Sequence, residues 1–385
     1  MSQHLFQKFK GTEPTEKDLK ALGANRDYNV DIIPKFIMAN GKLVKILVKT
    51  NVSHYLQFNK VDGCYVYKSG GNCGKVPATE KEAITTGLVG FFQKRKLRKF
   101  IIYVSKYEQD DPSTHEGFDC SKQTSAELFA KFGLDDNSQD FVGHAMALFF
   151  DETYKEKPAL ELVKAVRLYG TSLERYGSSP FIYPVYGLGG LPESFSRMCA
   201  VHGGVFMLNR DVDEFVYDDD GRVAGVIANG EAATANLVIG DPSYFVAKEN
   251  EAKRVRKTGR VIRSICILDH PVKAVKGNAS AQIIIPQKQI GRKNDIYVAI
   301  TSSTHEVCAK GKYVAIVSTA VETGNPAQEI APAIELLEPV LYRFDNVVDT
   351  YEPVDRAPKD KVFISSSYDP TRCVSLCSPK YLLGA

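Results

Sequence analysis

The segment Phe141-Val-Gly-His-Ala-Met-Ala-Leu-Phe-Phe150 constrains this chain more than any other. Read as a helix from Asp140 to Phe150, it is apolar nearly all round. Such a helix has to lie inside protein or face a lipid-like ligand. It is far too short to cross a bilayer, as is the apolar run Phe100–Val104. A chain of 385 residues with 44% hydrophobic and 25% charged residues is large enough to bury it. The rings are plentiful, 20 Phe and 19 Tyr with no Trp, and can build a sizeable core. Lys and Arg number 49 against 46 Asp and Glu, a balance that argues against a dedicated nucleic-acid binder.

Around that segment the texture is helical. Thr79-Glu-Lys-Glu82 has the form of a capping box, and apolar periodicity runs on through Ile84, Leu88, Phe91 and Phe92. Ser125–Phe132, Asp140–Phe150 and Ala159–Tyr169 read as three more helices. Residues 76 to about 175 are therefore expected to form a helical insertion in a mixed fold. Before it, residues 12 to 34 are polar, Leu43 to Leu47 suits a short helix, and Tyr55–Phe58 and Cys64–Tyr67 read as strands. After it the chain is β-rich. Val212–Tyr217 and Val223–Ala228 flank Asp219-Asp220-Gly221 as a hairpin. Further strands are expected at 237–239, 261–268, 283–285, 297–301 and 313–321, with a helix over 326–344 entered through Pro332. No internal repeat and no low-complexity linker is visible.

No catalytic machinery shows in the spacing. The sequence lacks GxSxG, SxxK and GxxxxGK[ST], and its seven histidines form no HExxH. His144, within the apolar helix, reads as a hydrogen-bonded core histidine and not as a ligand. Eight cysteines without a CxxC point to reduced, buried thiols and no zinc site. The first eleven residues lack a signal-like apolar stretch, and Leu-Leu-Gly-Ala at the end is no prenylation box. The string Tyr186-Gly-Leu-Gly-Gly-Leu-Pro192 comes nearest to a phosphate cradle. With Pro180 and Pro184 interrupting any strand before it, it reads as a turn entering a helix at Glu193–Cys199. Ala233–Asp241 suits a core strand ending in a carboxylate. Lys94-Arg-Lys-Leu-Arg-Lys99 is the sharpest charge feature. It reads as the solvated, dipole-favoured end of a helix, or as a contact for anionic lipid.

Several longer strings carry a resemblance. Arg26–Gly41 (RDYNVDIIPKFIMANG), Tyr176–Gly189 (YGSSPFIYPVYGLG), Ile283-Ile-Ile-Pro-Gln287, Asp241-Pro-Ser-Tyr244, Gly311–Thr319 and Glu335-Leu-Leu-Glu-Pro339 resemble the Rab GDP-dissociation inhibitors, in order, from about residue 5 to 370. The related Rab escort proteins are less similar. The resemblance implies an α/β fold, the FAD/NAD(P)-binding-like mixed fold with an inserted all-helical domain, incomplete at its N-terminus. The implied division is 1–75 with 176–385 for the oxidoreductase-like domain and its Rab-binding platform, and 76–175 for a helical lipid-binding domain.

The resemblance also implies a binding protein and not an enzyme, with no catalytic residues, cofactor or metal. Its partners would be GDP-bound prenylated Rab GTPases and their geranylgeranyl lipid, with no nucleic acid. It would be a monomer, cytoplasmic, with transient membrane contact. Carried onto this sequence, the Rab-binding positions are Arg197, Met207, Gly190 and Val205, and the mobile-loop positions are Arg175 and Tyr183. Gly190 stands where the family usually has glutamate and Val205 where it has threonine. The isoprenoid pocket falls on Phe129, Phe132, Phe141, Val142, Ala145 and Leu148, with the small residues Gly143, Ala145 and Ala147 leaving room for a groove. The family's opening glycine-rich strand-turn-helix has no counterpart in this sequence, and Pro370–Ala385, with Cys373 and Cys377, matches nothing familiar. The alternative is a flavin-dependent oxidoreductase of the same fold, or a degenerate fragment that binds neither flavin nor Rab.

Overall fold

The structure, a computed structural model, describes residues 2–68, 70–79, 82, 87–177, 179–246, 254–355, 359–371 and 373–374. The chain divides into two compact units. The first holds residues 1–191, 262–346 and 370–375, and the second residues 192–261, 347–369 and 376–385.

In the first unit the helices described before residue 191 include α1 (Ser2–Lys10), α2 (Glu16–Leu22), α3 (Lys42–Lys49), α4 (Phe91–Lys106), α5 (Ser125–Phe132), α6 (Asp136–Asp140) and α7 (Ala159–Tyr176). Thr15 opens α2 and Thr124 opens α5, each through a capping box with the acid three residues on. Gly133 and Gly177 close α5 and α7 in the left-handed conformation.

Seven strands form the larger sheet, in the order 342–353, 255–268, 313–320, 296–302, 281–285, 63–68 and 72–75. Its central strands are apolar on both faces because both are covered. Ile283, Ile285, Val298, Ile300, Ala315 and Val317 pack in one cluster. Their alternates Ile284, Tyr297, Ala299 and Ile316 join the helical side chains Phe100, Phe129, Leu162 and Val166 in another. Each such side chain, taken out of water, is worth about 1.5–3 kcal/mol before entropy is set against it. A smaller sheet has the order 373–374, 36–38, 181–184 and 58–60.

The second unit is mostly β. Val212–Tyr217, Val223–Ala228 and Glu231–Thr234 form an antiparallel sheet, and Val238–Gly240 pairs in parallel with Val362–Ile364. Phe215 stacks on Phe245 at 4.9 Å, with Val223 and Val362 around them. The expected hairpin is present with the expected bounds, turning at Gly221 with φ of 73°.

Several expectations need correction. The helix expected from Thr79 to Phe92 is not continuous. Thr79 does accept the Glu82 amide at 3.2 Å, but the helix carrying Phe91 and Phe92 begins at Phe91, after Gly90. Ile84 lies outside the described residues. The basic run Lys94–Lys99 consequently sits in the first half of α4, not at a helix end. The core face of α4 follows it, as Phe100, Tyr103 and Val104.

The apolar segment is an α-helix only to Asp140. Phe141–Met146 is a π-helix, and Leu148 turns out with φ of 62°. The helix expected over 326–344 breaks into Pro326–Glu329 and Ala331–Glu335, and residues 342–353 form a strand. Pro332 and Pro339 remove the amides a longer helix needs. Ala233–Asp241 is no core strand. Glu231–Thr234 is exposed throughout, and Asp241 caps a 3-10 turn through the Ser243 amide. Among the described cysteines Cys199 is exposed and Cys73 half-buried, while the other free thiols are buried.

Candidate functional site

The glycine string is a turn held by a carboxylate of the protein itself. A strand does precede it, Phe181–Pro184, contrary to expectation. Pro184 costs nothing as its last residue, because the missing amide falls at the strand's end. Gly187 has φ of 83°, and a Cβ there would stand 2.8 Å from Asp31 Oδ2. Asp31 accepts the Leu188 amide at 2.8 Å and the hydroxyl of Tyr183, so an anion already occupies the place a phosphate would take. Burial pushes the Asp31 carboxyl up, and those donors pull it part of the way back.

From this turn the chain enters α8 (Gly190–Val201). Gly190 is half-buried, and a Cβ on it would lie 3.2 Å from a methyl of Leu56. Arg197 is exposed on α8. In the second unit the helix ends with the Gly204 amide donating to Cys199 O at 2.9 Å. Gly203 takes φ of 88°. That ending delivers four consecutive apolar residues to solvent: Val205 is 83% exposed, Phe206 48%, Met207 66% and Leu208 85%. Sequence reasoning named Met207 and Val205 and missed Phe206 and Leu208, although the unbroken run Val205–Leu208 after two glycines was legible.

The two mobile-loop positions do not lie in a loop. Arg175 is in the last turn of α7, where the helix dipole favours a cation. Tyr183 is 2% exposed in the strand 181–184, with its ring edge-on to Phe36 at 5.4 Å. Its hydroxyl is spent on Asp31.

The lipid-pocket positions lie together in the first unit. Phe129, Val142 and Ala145 are wholly buried, Phe141 is nearly so, and Phe132 and Leu148 pack against the same core. Phe100 meets the ring of Phe129 at 5.8 Å and that of Phe132 at 5.7 Å. Gly143 leaves no open groove: a Cβ there would fall on the ring and hydroxyl of Tyr154. Phe141 also lines a cavity of about 240 Å³ of mixed character, with Val66, Leu88 and Pro286 on one hand and Lys68, Asn137, Asp140 and Gln289 on the other.

His144 is the core histidine expected. Nδ1 stands 2.7 Å from Asp295 Oδ2 and 2.9 Å from the Phe149 carbonyl, and Nε2 stands 3.0 Å from Glu152 Oε1. Both ring nitrogens face acceptors only, so the imidazole is doubly protonated. Burial opposes that charge, but the bonds to Asp295 and Glu152 outweigh it and raise the pKa to about 10. Burial pushes Asp295 up as well. Its oxygens meet only donors, His144, the Gln287 amide at 2.9 Å and Tyr297 at 3.4 Å, and these favour its charged form against that burial.

Asp140, His144 and Glu152 are close enough to resemble a cation site. Two ammonium groups already fill that role. Lys155 lies 2.6 Å from Glu152, and Lys288 lies 3.0 Å from Asp140 and 3.3 Å from Glu152. Together with His144 they hold Glu152 well below the usual carboxylate range, against the effect of its burial.

Among the described residues set out above, no nucleophile, base and oxyanion pocket are brought together. The geometry offers a surface with one arginine and an apolar run, and a ring-rich helical core. The chain matches the family model of GDP dissociation inhibitors over residues 1–377. The chain belongs to that family. The probable secretory pathway GDP dissociation inhibitor 1 of Schizosaccharomyces pombe is 47% identical over 370 residues, which are 96% of this chain and 82% of the relative. A guanosine nucleotide diphosphate dissociation inhibitor of Arabidopsis thaliana is 48% identical over 368 residues, 95% of this chain and 80% of the relative.

The solved structure of Rab GDI from Plasmodium falciparum matches this family member with a TM-score of 0.91 and 41% identity. It covers 99% of this chain and 87% of that one. An oxidoreductase from Methanosarcina mazei shares the fold alone, with a TM-score of 0.55 and 16% identity over 92% of this chain and 90% of that one. The FAD-oxidoreductase-like α/β fold and the GDP-dissociation-inhibitor function read from the sequence therefore stand. No described helix of this family member is long and apolar enough to cross a membrane.

Proposed function

We propose that this GDP dissociation inhibitor binds prenylated Rab GTPases in their GDP state, slows nucleotide release and carries them between membrane and cytosol. It does so by binding alone, as a monomer without covalent chemistry or cofactor. The observation that carries the reading is the exposed arginine of α8 followed by the exposed run Val205–Leu208. An arginine and a flanking apolar strip are what a stable protein interface uses as anchors. Arg197 and Met207 are the anchors proposed here. Gly190 and Val205 contribute shape without the polar contacts of glutamate and threonine. Arg175 is proposed for membrane recycling.

The lipid reading rests on residues 76–175 as the lipid-binding part and residues 1–75 with 176–385 as the client-binding part. A geranylgeranyl chain gains about 0.8 kcal/mol for each methylene it buries, so it leaves a bilayer only for an equally apolar seat. Phe129, Phe132, Phe141, Val142, Ala145 and Leu148 provide that chemistry. Since most of them are already packed, the seat forms by helices parting as the lipid enters.

The test is GDP release from a prenylated Rab, followed with a fluorescent GDP analogue, with and without the protein. Slower release from the prenylated client, and capture of prenylated in preference to unprenylated Rab in a pull-down, are expected. Unchanged release kinetics would overturn the reading.

A further inference from the structure

The start of α4 is not explained by folding. Phe91 and Phe92 are 77% and 79% exposed, with ring centroids 5.6 Å apart and edge to face. Lys94, Arg95, Lys96, Arg98 and Lys99 follow within two turns, and the helix contains no acidic residue. Lys94 lies in the first turn, where the helix dipole disfavours a cation, and Lys94 with Arg98 and Arg95 with Lys99 are like charges four apart. Lys96 donates to the Gly133 carbonyl at 2.8 Å. Among the described residues, no ion pair engages Arg95, Arg98 or Lys99.

At 100° per residue, Phe91, Arg95, Arg98, Lys99 and Ile102 fall on one face, opposite the buried Phe100 and Val104. Ile102 is itself 43% exposed.

We propose that this face of α4, with Phe91 and Phe92 as wedges and Arg95, Arg98 and Lys99 beside them, docks on an anionic lipid bilayer. The chemistry selects a membrane over an acidic protein. Protein interface cores are depleted in charged residues, whereas this helix sets five cations within two turns and no acid among them. A bilayer surface lets lysines and arginines stay mobile among phosphates while rings sink below the headgroups. The proposal rests on the reading above only for its purpose, bringing the protein to membranes where clients reside. The contact itself needs no client.

The absence of tryptophan from the chain gives a clean probe. Phe92→Trp introduces a single tryptophan, excited apart from the tyrosines, into the client-free protein. Vesicles of phosphatidylcholine containing phosphatidylserine are expected to shift its emission to the blue, and pure phosphatidylcholine vesicles are not. Each cation near such a surface is worth about fivefold in partitioning, so Arg95→Gln/Arg98→Gln/Lys99→Gln should weaken vesicle binding by roughly a hundredfold. Separately, Phe91→Ala/Phe92→Ala should leave a weaker binding that salt abolishes.

Should the triple variant fold poorly, a salt titration of the Phe92→Trp protein reads the same electrostatics. No blue shift, an equal shift with neutral vesicles, or tight binding to soluble heparin without vesicle binding would each overturn the proposal. Slowing of GDP release in vesicle-free solution should be the same for wild type and all these variants, so that failure of this inference and failure of the client reading are told apart.

Discussion

The imidazole Nδ1 of His144 lies 2.7 Å from Oδ2 of Asp295, a residue 151 positions further along the chain. The contact joins the π-helix Phe141–Met146 to the turn before the strand 296–302, and both side chains are almost wholly buried. A buried pair of this kind is costly to break, because the survivor keeps its charge without a partner.

His144→Ala should therefore destabilise the protein by about 3–5 kcal/mol, read from urea unfolding. The pH dependence has a definite sign. The imidazole titrates at about 10 in the folded state and at about 6.5 when unfolded. Its contribution is complete below about 6.5 and is lost as pH rises through about 10. Wild type should lose thermal stability across that window, and His144→Gln should lose less. An equal slope in both proteins would show that the pair is not ionised as described.

Gly143 is fixed by the approach of Tyr154, whose ring and hydroxyl occupy the place of a Cβ. Gly143→Ala should cost about 1–3 kcal/mol through overpacking. Adding Tyr154→Phe removes the hydroxyl and should recover part of the loss. A double-mutant cycle on unfolding midpoints checks this, and strict additivity would contradict the contact.

Gly187 combines a left-handed φ with the Asp31 carboxylate against its missing side chain. Gly187→Ala should destabilise by about 1–2 kcal/mol from backbone strain alone, and more because Asp31 cannot move without leaving the Leu188 amide and Tyr183 unpaired. Asp31→Ala frees that space, so Gly187→Ala should cost less in that background. Thermal denaturation of the three variants decides it.

Arg197 and Met207 are expected to act on client binding and not on stability, since both are exposed. Arg197→Ala should weaken binding of prenylated, GDP-loaded Rab by about 1.5–3 kcal/mol, the worth of a charge-assisted hydrogen bond. Met207→Ala should weaken it less, through lost apolar area. Titration of the GDP-release rate measures both. Variants with wild-type affinity would move the client surface elsewhere.

Local chemistry determined much of this protein from its sequence. The hairpin at Gly221, the Thr79 cap on the Glu82 amide, and the strands around Ile283 and Val298 follow from turn residues, side-chain spacing and continuous apolar runs. Those forces act over a few residues, and the quoted family strings extended them to the fold and the kind of activity. Tertiary structure decided what depends on distant partners. The apolar segment became a π-helix in which His144 reaches Asp295. Tyr183 was drawn into a buried strand by Phe36 and Asp31, and Gly143 made room for Tyr154. The start of α4 was illegible for the opposite reason. Phe91 and Phe92 read as core because apolar periodicity reports the tendency to leave water, whereas only the packed structure shows which apolar residues remain exposed.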